Sequence, residues 1–117
     1  MVSNGIIQFA RNMTLEHEIN YPNKVCAVLH RGSRVLSWGL NYPHKTHPKA
    51  NTPYNTIHAE FDAIQRGLRN GLDMSRVSLY VYRLRRDQKA GLSRPCRWCE
   101  RLIMWSGIKD VNWSVSE

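Results

Sequence analysis

The sequence predicts an α/β domain built around a strand that is covered on both faces. Apolar residues recur at helical spacing in some segments and alternate or run together in others, so helices and strands follow one another along the chain. The segment Val77 to Tyr82 is an almost continuous apolar run, the pattern of a central strand packed on both sides. With 117 residues, 42% of them hydrophobic, and no linker, residues 1–117 read as a single domain with one core.

The elements follow in order. Ile6, Phe9, Ala10 and Met13 recur at helical spacing and predict a first helix. Val25 to Leu29 and Arg34 to Trp38 read as a hairpin turning at Arg31-Gly32-Ser33. The segment Asn41 to Asn55 holds Pro43, Pro48 and Pro53, which prevent regular structure. Thr56 is the expected N-cap of a helix beginning near His58, with Phe61, Ile64 and Leu68 packing on the sheet and Asn70-Gly71 as its stop. After the central strand the basic segment Arg83 to Arg94 leads outward, and Pro95 suits the first turn of a further helix. Leu102, Ile103 and Trp105 continue that helix inward or toward a partner, Gly107 ends it, and Val111, Trp113 and Val115 alternate as a last strand.

Two motifs carry chemistry: His58-Ala59-Glu60 and Pro95-Cys96-Arg97-Trp98-Cys99. His58, Cys96 and Cys99 offer an imidazole and two thiolates, a ligand set for tetrahedral zinc that leaves the fourth position open. A structural site usually has four protein ligands, and Glu60 adds a carboxyl group suited to proton transfer. Placing both cysteines in the first turn of a helix is expected to favour their thiolates. Cys26, inside an apolar strand, reads as a buried free thiol rather than a ligand or disulfide partner.

On these motifs the chain resembles the cytidine and deoxycytidylate deaminase superfamily, and the resemblance covers most of the sequence. It implies a three-layer α/β/α cytidine-deaminase-like domain, in a minimal version with a mixed sheet of about four strands. It also implies Zn²⁺ held by His58, Cys96 and Cys99, with Glu60 shuttling protons as a base loses its amino group to water. Trp38-Gly39-Leu40-Asn41 is similar to the family segment whose Asn contacts substrate, so Asn41 is a substrate-binding candidate. Ala59, being small, lets the ring approach the metal and is a second candidate. Free-cytidine deaminases typically carry Cys as first ligand, whereas deoxycytidylate, tRNA adenosine and polynucleotide deaminases resemble this chain in using His. His58 therefore disfavours the free-nucleoside branch.

A net charge of +8 points to a phosphate-bearing substrate or nucleic acid. Lys45, Arg85, Arg86, Arg94 and Arg97 are the candidate phosphate or nucleic-acid contacts, within a wider basic cluster that includes Arg83 and Lys89. Tyr42 and Tyr54 can stack on a base or pack on the loop prolines. His44 and His47 are poor zinc candidates because a fourth protein ligand would close the open position. His17 and His30 carry no motif and are expected at the surface or in a strand.

The expected reaction is conversion of cytosine to uracil in a mononucleotide such as dCMP. The alternative is deamination of cytosine or adenine in single-stranded DNA or RNA, and a third reading is a non-catalytic nucleic-acid-binding protein that zinc stabilises. The sequence has no long apolar run and no signal-like segment, so no membrane association and a cytoplasmic location are expected. Larger members of the superfamily continue beyond the last strand, and the edge so exposed predicts a homo-oligomer.

Overall fold

The computed structural model describes residues 2–19, 21–43 and 56–117. In chain order its elements are α1 (Asn4–Glu16), β1 (Lys24–Arg31), β2 (Arg34–Leu40), β3 (Tyr42–Pro43), β4 (Thr56–Ile57), α2 (Ala59–Arg69), β5 (Ser78–Leu84), β6 (Ala90–Gly91), α3 (Arg97–Ser106) and β7 (Asp110–Trp113). The main sheet runs β2-β1-β5, all antiparallel neighbours. The far edge of β5 is shared, because β7 lies parallel along Ser78 to Val81 and β6 antiparallel at Arg83 and Leu84. The mixed sheet therefore has the expected strands, plus β6 as a short fifth.

Both faces of β1 and β5 are covered, which is why these strands are apolar along their length. On one face Cys26, Val28, Tyr80 and Tyr82 meet Ile6 and Ala10 of α1. On the other, Ala27, Leu29, Leu79 and Val81 meet Ala59, Ala63 and Ile64 of α2 together with Ile103 of α3. Successive strand residues alternate between these clusters, as the pleat requires, and helix, sheet and helix form the three layers.

Several boundaries differ from expectation for local reasons. Thr56 does not cap α2: β4 pairs with β3 and holds the backbone extended through Ile57, and His58 takes the N-cap position. Pro95 lies before α3 rather than in its first turn, since Cys96 is the N-cap and its sulfur accepts from the Cys99 amide. Leu68 is 40% exposed, and the residues α2 turns to the sheet include Ala59 and Ala63. Val115 is exposed and beyond β7, which ends at Trp113. His17 is buried as the C-cap of α1, whereas His30 lies in β1. Gly107 ends α3 in the left-handed conformation at φ +94°, as a glycine after a helix allows.

The small residues on α2 follow from how closely it lies on β2. A Cβ at Gly39 would stand 2.6 Å from the Ala59 carbonyl oxygen and closer still to the Ala63 nitrogen. Ser37 Oγ donates to the Ala63 carbonyl at 3.2 Å, and the Leu40 amide donates to Asp62 Oδ2 at 3.1 Å. Asp62 also pairs with Arg66 at 3.5 Å. These bonds set the first turns of α2 against the end of β2.

Gly39→Ala pushes a methyl group into helix backbone that no side-chain rotation can clear. It is expected to destabilise the fold by about 1–3 kcal/mol or more, read as a lower urea midpoint with little change in slope.

Candidate zinc centre

Seating α2 in this way puts its N-terminus at the end of the sheet where β2 and β5 finish and β1 begins. His58 is the N-cap and makes no side-chain capping bond. The β5–β6 hairpin and the turn after it bring α3 to the same place with its own N-terminus forward. Here His58 Nδ1 lies 3.2 Å from Cys99 Sγ and 3.6 Å from Cys96 Sγ, and the three donor atoms all fall within 4.8 Å of one another. Tetrahedral zinc with ordinary bonds to nitrogen and sulfur separates such donors by roughly 3.5–3.8 Å, so the group fits that ion with small adjustments. Trp98 meets the His58 ring edge-on with centroids 5.9 Å apart and lies at the same distance from Phe61. That packing limits how the imidazole can turn.

The two thiols are not equivalent. Cys96 is exposed, and a hydrogen bond from the Cys99 side chain lowers its pKa to about 5. Cys99 is buried, and the same hydrogen bond together with desolvation pushes its pKa far up. The expectation that the helix start favours both thiolates therefore holds for Cys96 alone: the pair shares one proton until a metal displaces it.

Glu60 occupies the second residue of α2 and is 6% exposed. Desolvation raises its carboxyl above the usual range, opposed by its own backbone amide and by His58. It lines a cleft of 280 Å³ together with His58, Ala59, Cys96, Asn41, Arg83 and Arg94 among others. A larger hollow of 690 Å³ lies between α1 and the chain after β7, and no member of the His58 group borders it.

Asn41 reaches the cleft, but its amide is largely engaged. Oδ1 accepts from the Val25 amide at 2.9 Å, and Nδ2 donates to the Asn23 carbonyl at 2.8 Å. Buried His17 contacts the Asn41 carbonyl through Nε2 at 2.6 Å and stacks edge-on with Tyr42. Asn41 thus ties together the strand ends that form one wall, with one amide proton and one lone pair left for a ligand. His17 and Asp62 are supporting residues that no local motif marks, because their partners at positions 41 and 40 are distant in the chain.

Of the basic candidates, Arg94 lines the cleft. Arg85 is bound to Asp87 through contacts of 3.0 and 2.6 Å, Arg86 and Arg97 are exposed and do not line the cleft, and Lys45 lies outside the described residues. His44, His47 and Tyr54 also fall outside them. Cys26 is fully buried, is not part of the His58 group, and has a thiol pushed up to about 12 by burial. No described helix is long and apolar enough to cross a membrane.

Residues 4–115 match the family model of the cytidine and deoxycytidylate deaminase zinc-binding region. A cytidine deaminase from Burkholderia pseudomallei is similar in structure, with a TM-score of 0.65 at 21% identity over 92% of this chain and 78% of that one. A dCMP deaminase from cyanophage S-TIM5 gives 0.57 at 18% identity over 97% and 87%. A cytidine deaminase from Mycobacterium leprae gives 0.61 at 18% identity over 97% and 88%. None of the curated proteins matches the sequence significantly. At these identities the likeness establishes the fold, and both kinds of deaminase share it.

Because Cys96 is already ionised near neutrality and Cys99 is not, metal uptake should release one thiol proton. Zinc affinity is then expected to rise about tenfold per pH unit between pH 6 and 8 and to weaken as pH falls. Competition with a chelator of known pH behaviour measures this; a dependence near a hundredfold per unit would refute the release of a single proton.

Proposed function

The chain belongs to the cytidine and deoxycytidylate deaminase family, and from that premise we propose that it is a zinc-dependent hydrolytic deaminase converting cytosine to uracil in a mononucleotide such as dCMP. The observation that carries this reading is a buried carboxyl group, Glu60, in the same cleft as the His58, Cys96 and Cys99 group. A structural zinc site needs no such carboxyl, and burying one without use is costly.

His58, Cys96 and Cys99 hold the metal in this reading. Bound there, zinc supplies Lewis-acid activation of water near neutral pH. Glu60 accepts a proton from the attacking water and delivers it toward the amino group leaving C4, so ammonia departs and a carbonyl remains. Its raised pKa suits a group that must both take and give a proton. Ala59, 1% exposed and bordering the cleft, offers a small surface for the flat ring, while Asn41 orients the wall beside it.

The phosphate preference rests on the arginines at the rim and the charge of +8. The same charge favours a second reading, a target base within a single strand whose backbone crosses exposed Arg86, Arg97 and Arg101. Salt separates the two, because each strand phosphate neutralised adds about 0.7 to the log-log slope of binding against salt concentration. The reading also includes self-association: Met104 and Trp105 are 79% and 74% exposed, and Trp105 borders an apolar groove between α2 and α3.

Glu60→Gln is expected to lower turnover of dCMP by about 10²- to 10⁴-fold with zinc content retained. Product formation is read by chromatography alongside deoxycytidine and a cytosine-containing oligonucleotide. Undiminished activity of the variant would refute the proton-transfer role.

A further inference from the structure

We propose that Arg83 is a specificity-determining residue of the cleft, binding the phosphate carried by the substrate nucleotide. This rests on the reading of the cleft as a nucleotide site and adds to it a residue outside both motifs.

Arg83 follows Val81 by two positions in β5, so its side chain leaves the same face of the sheet. Val81 lies in the core beneath α2, and two residues further along the strand that face has become the wall of the cleft, which both residues border. The position of the side chain depends on its partner strand. Arg83 pairs in register with Gly91 of β6, and a Cβ there would stand 3.3 Å from both Cδ and Nε of Arg83. The bare backbone of Gly91 makes room for this stem and for that of Arg85, whose Cγ such a Cβ would approach to 2.9 Å. Ser114 Oγ accepts from the Arg83 amide at 3.1 Å, and one terminal nitrogen, Nη1, donates to the Leu92 carbonyl at 3.4 Å.

What these contacts leave over is informative. Arg83 Nε is buried with no hydrogen-bond partner, and no carboxylate among the described residues pairs with its guanidinium. The other arginine of the cleft, Arg94, is engaged: it faces Glu100 at 3.7 Å and lies over the Trp113 ring at 5.9 Å. Arg83 is therefore the cleft arginine without an acidic partner among the described residues. A buried donor on a permanent cation calls for an acceptor, and one of opposite charge compensates it best. Phosphate oxygens match the planar guanidinium fork, whereas a neutral base carbonyl satisfies a bond but leaves the charge uncompensated.

Calorimetry on zinc-loaded Glu60→Gln protein, with and without Arg83→Gln, tests this using dCMP, deoxycytidine and the trinucleotide d(TCT). With Arg83 present, dCMP is expected to bind more tightly than deoxycytidine; the ratio of the two affinities should fall about tenfold or more in the Arg83→Gln protein, with zinc content unchanged. A ratio to deoxycytidine that is unchanged for both dCMP and d(TCT), or an equal loss for all three ligands, overturns the assignment, the second outcome making Arg83 a contact to base or sugar. If the Arg83-dependent ratio shows for d(TCT) against deoxycytidine and not for dCMP, the proposal stands with a strand phosphodiester as its source. Equal binding of all three ligands before substitution overturns it. Should Arg83→Gln fail to fold, Arg83→Lys keeps the charge without the fork and is expected to show a smaller fall in the same ratio, while no fall counts against the proposal. Failure of deamination in the turnover assay counts against the reaction alone, because these ratios are read without turnover.

Discussion

The close contact of α2 with β2 is the constraint on which the rest of the site depends. Gly39 lets helix backbone reach strand backbone, and Ser37, Leu40 and Asp62 bond across the junction. A larger residue at position 39 would lift the helix, moving His58 and Glu60 together away from the cysteines. The site is assembled from two helix starts on one sheet, so errors of an ångström in seating either helix change the donor spacing directly. Small residues at Ala59 and Ala63 are the counterpart of that glycine rather than a weakness of the core.

The donor group is prepared unequally for a cation. Cys96 stands exposed and easily ionised, while Cys99 is buried, carries the shared proton and lies near the Glu60 carboxyl. Bringing two thiols and a carboxyl into one partly buried space is unfavourable when all are charged, and the proton on Cys99 relieves this. A divalent cation does the same more completely, so binding and ionisation are coupled. The same burial raises the Glu60 carboxyl, because it penalises the charged form.

The basic segment after the central strand has a more ordered role than its composition suggests. It folds back at Arg85 to Lys89 as a hairpin, with Arg85 closing on Asp87 and Gln88 in a left-handed conformation at φ +63°. Ser93 and Ser114 then lock β6, β5 and the chain after β7 through a buried cluster in which Ser93 Oγ donates to the Val81 carbonyl at 2.6 Å. The turn thus consumes one arginine structurally and returns the backbone to the cleft, where Arg83 and Arg94 meet different surroundings.

Local patterns were sufficient for the elements and the donor types. The apolar run at Val77 to Tyr82, the hairpin turn at Gly32, the helix stop at Asn70-Gly71 and the two motifs each depend on residues near one another in the chain, so spacing alone exposes them. At Thr56 and Leu68 pairing with β3 and the packing of α2 outweigh capping preference and periodicity. Which arginine faces the cleft, how the Asn41 amide is engaged, why Asp62 and His17 matter and which thiol keeps its proton were decided only by tertiary structure. The Asn41 and Asp62 contacts join groups more than twenty residues apart, and the unequal burial of Cys96 and Cys99 is set by packing, so sequence spacing shows neither.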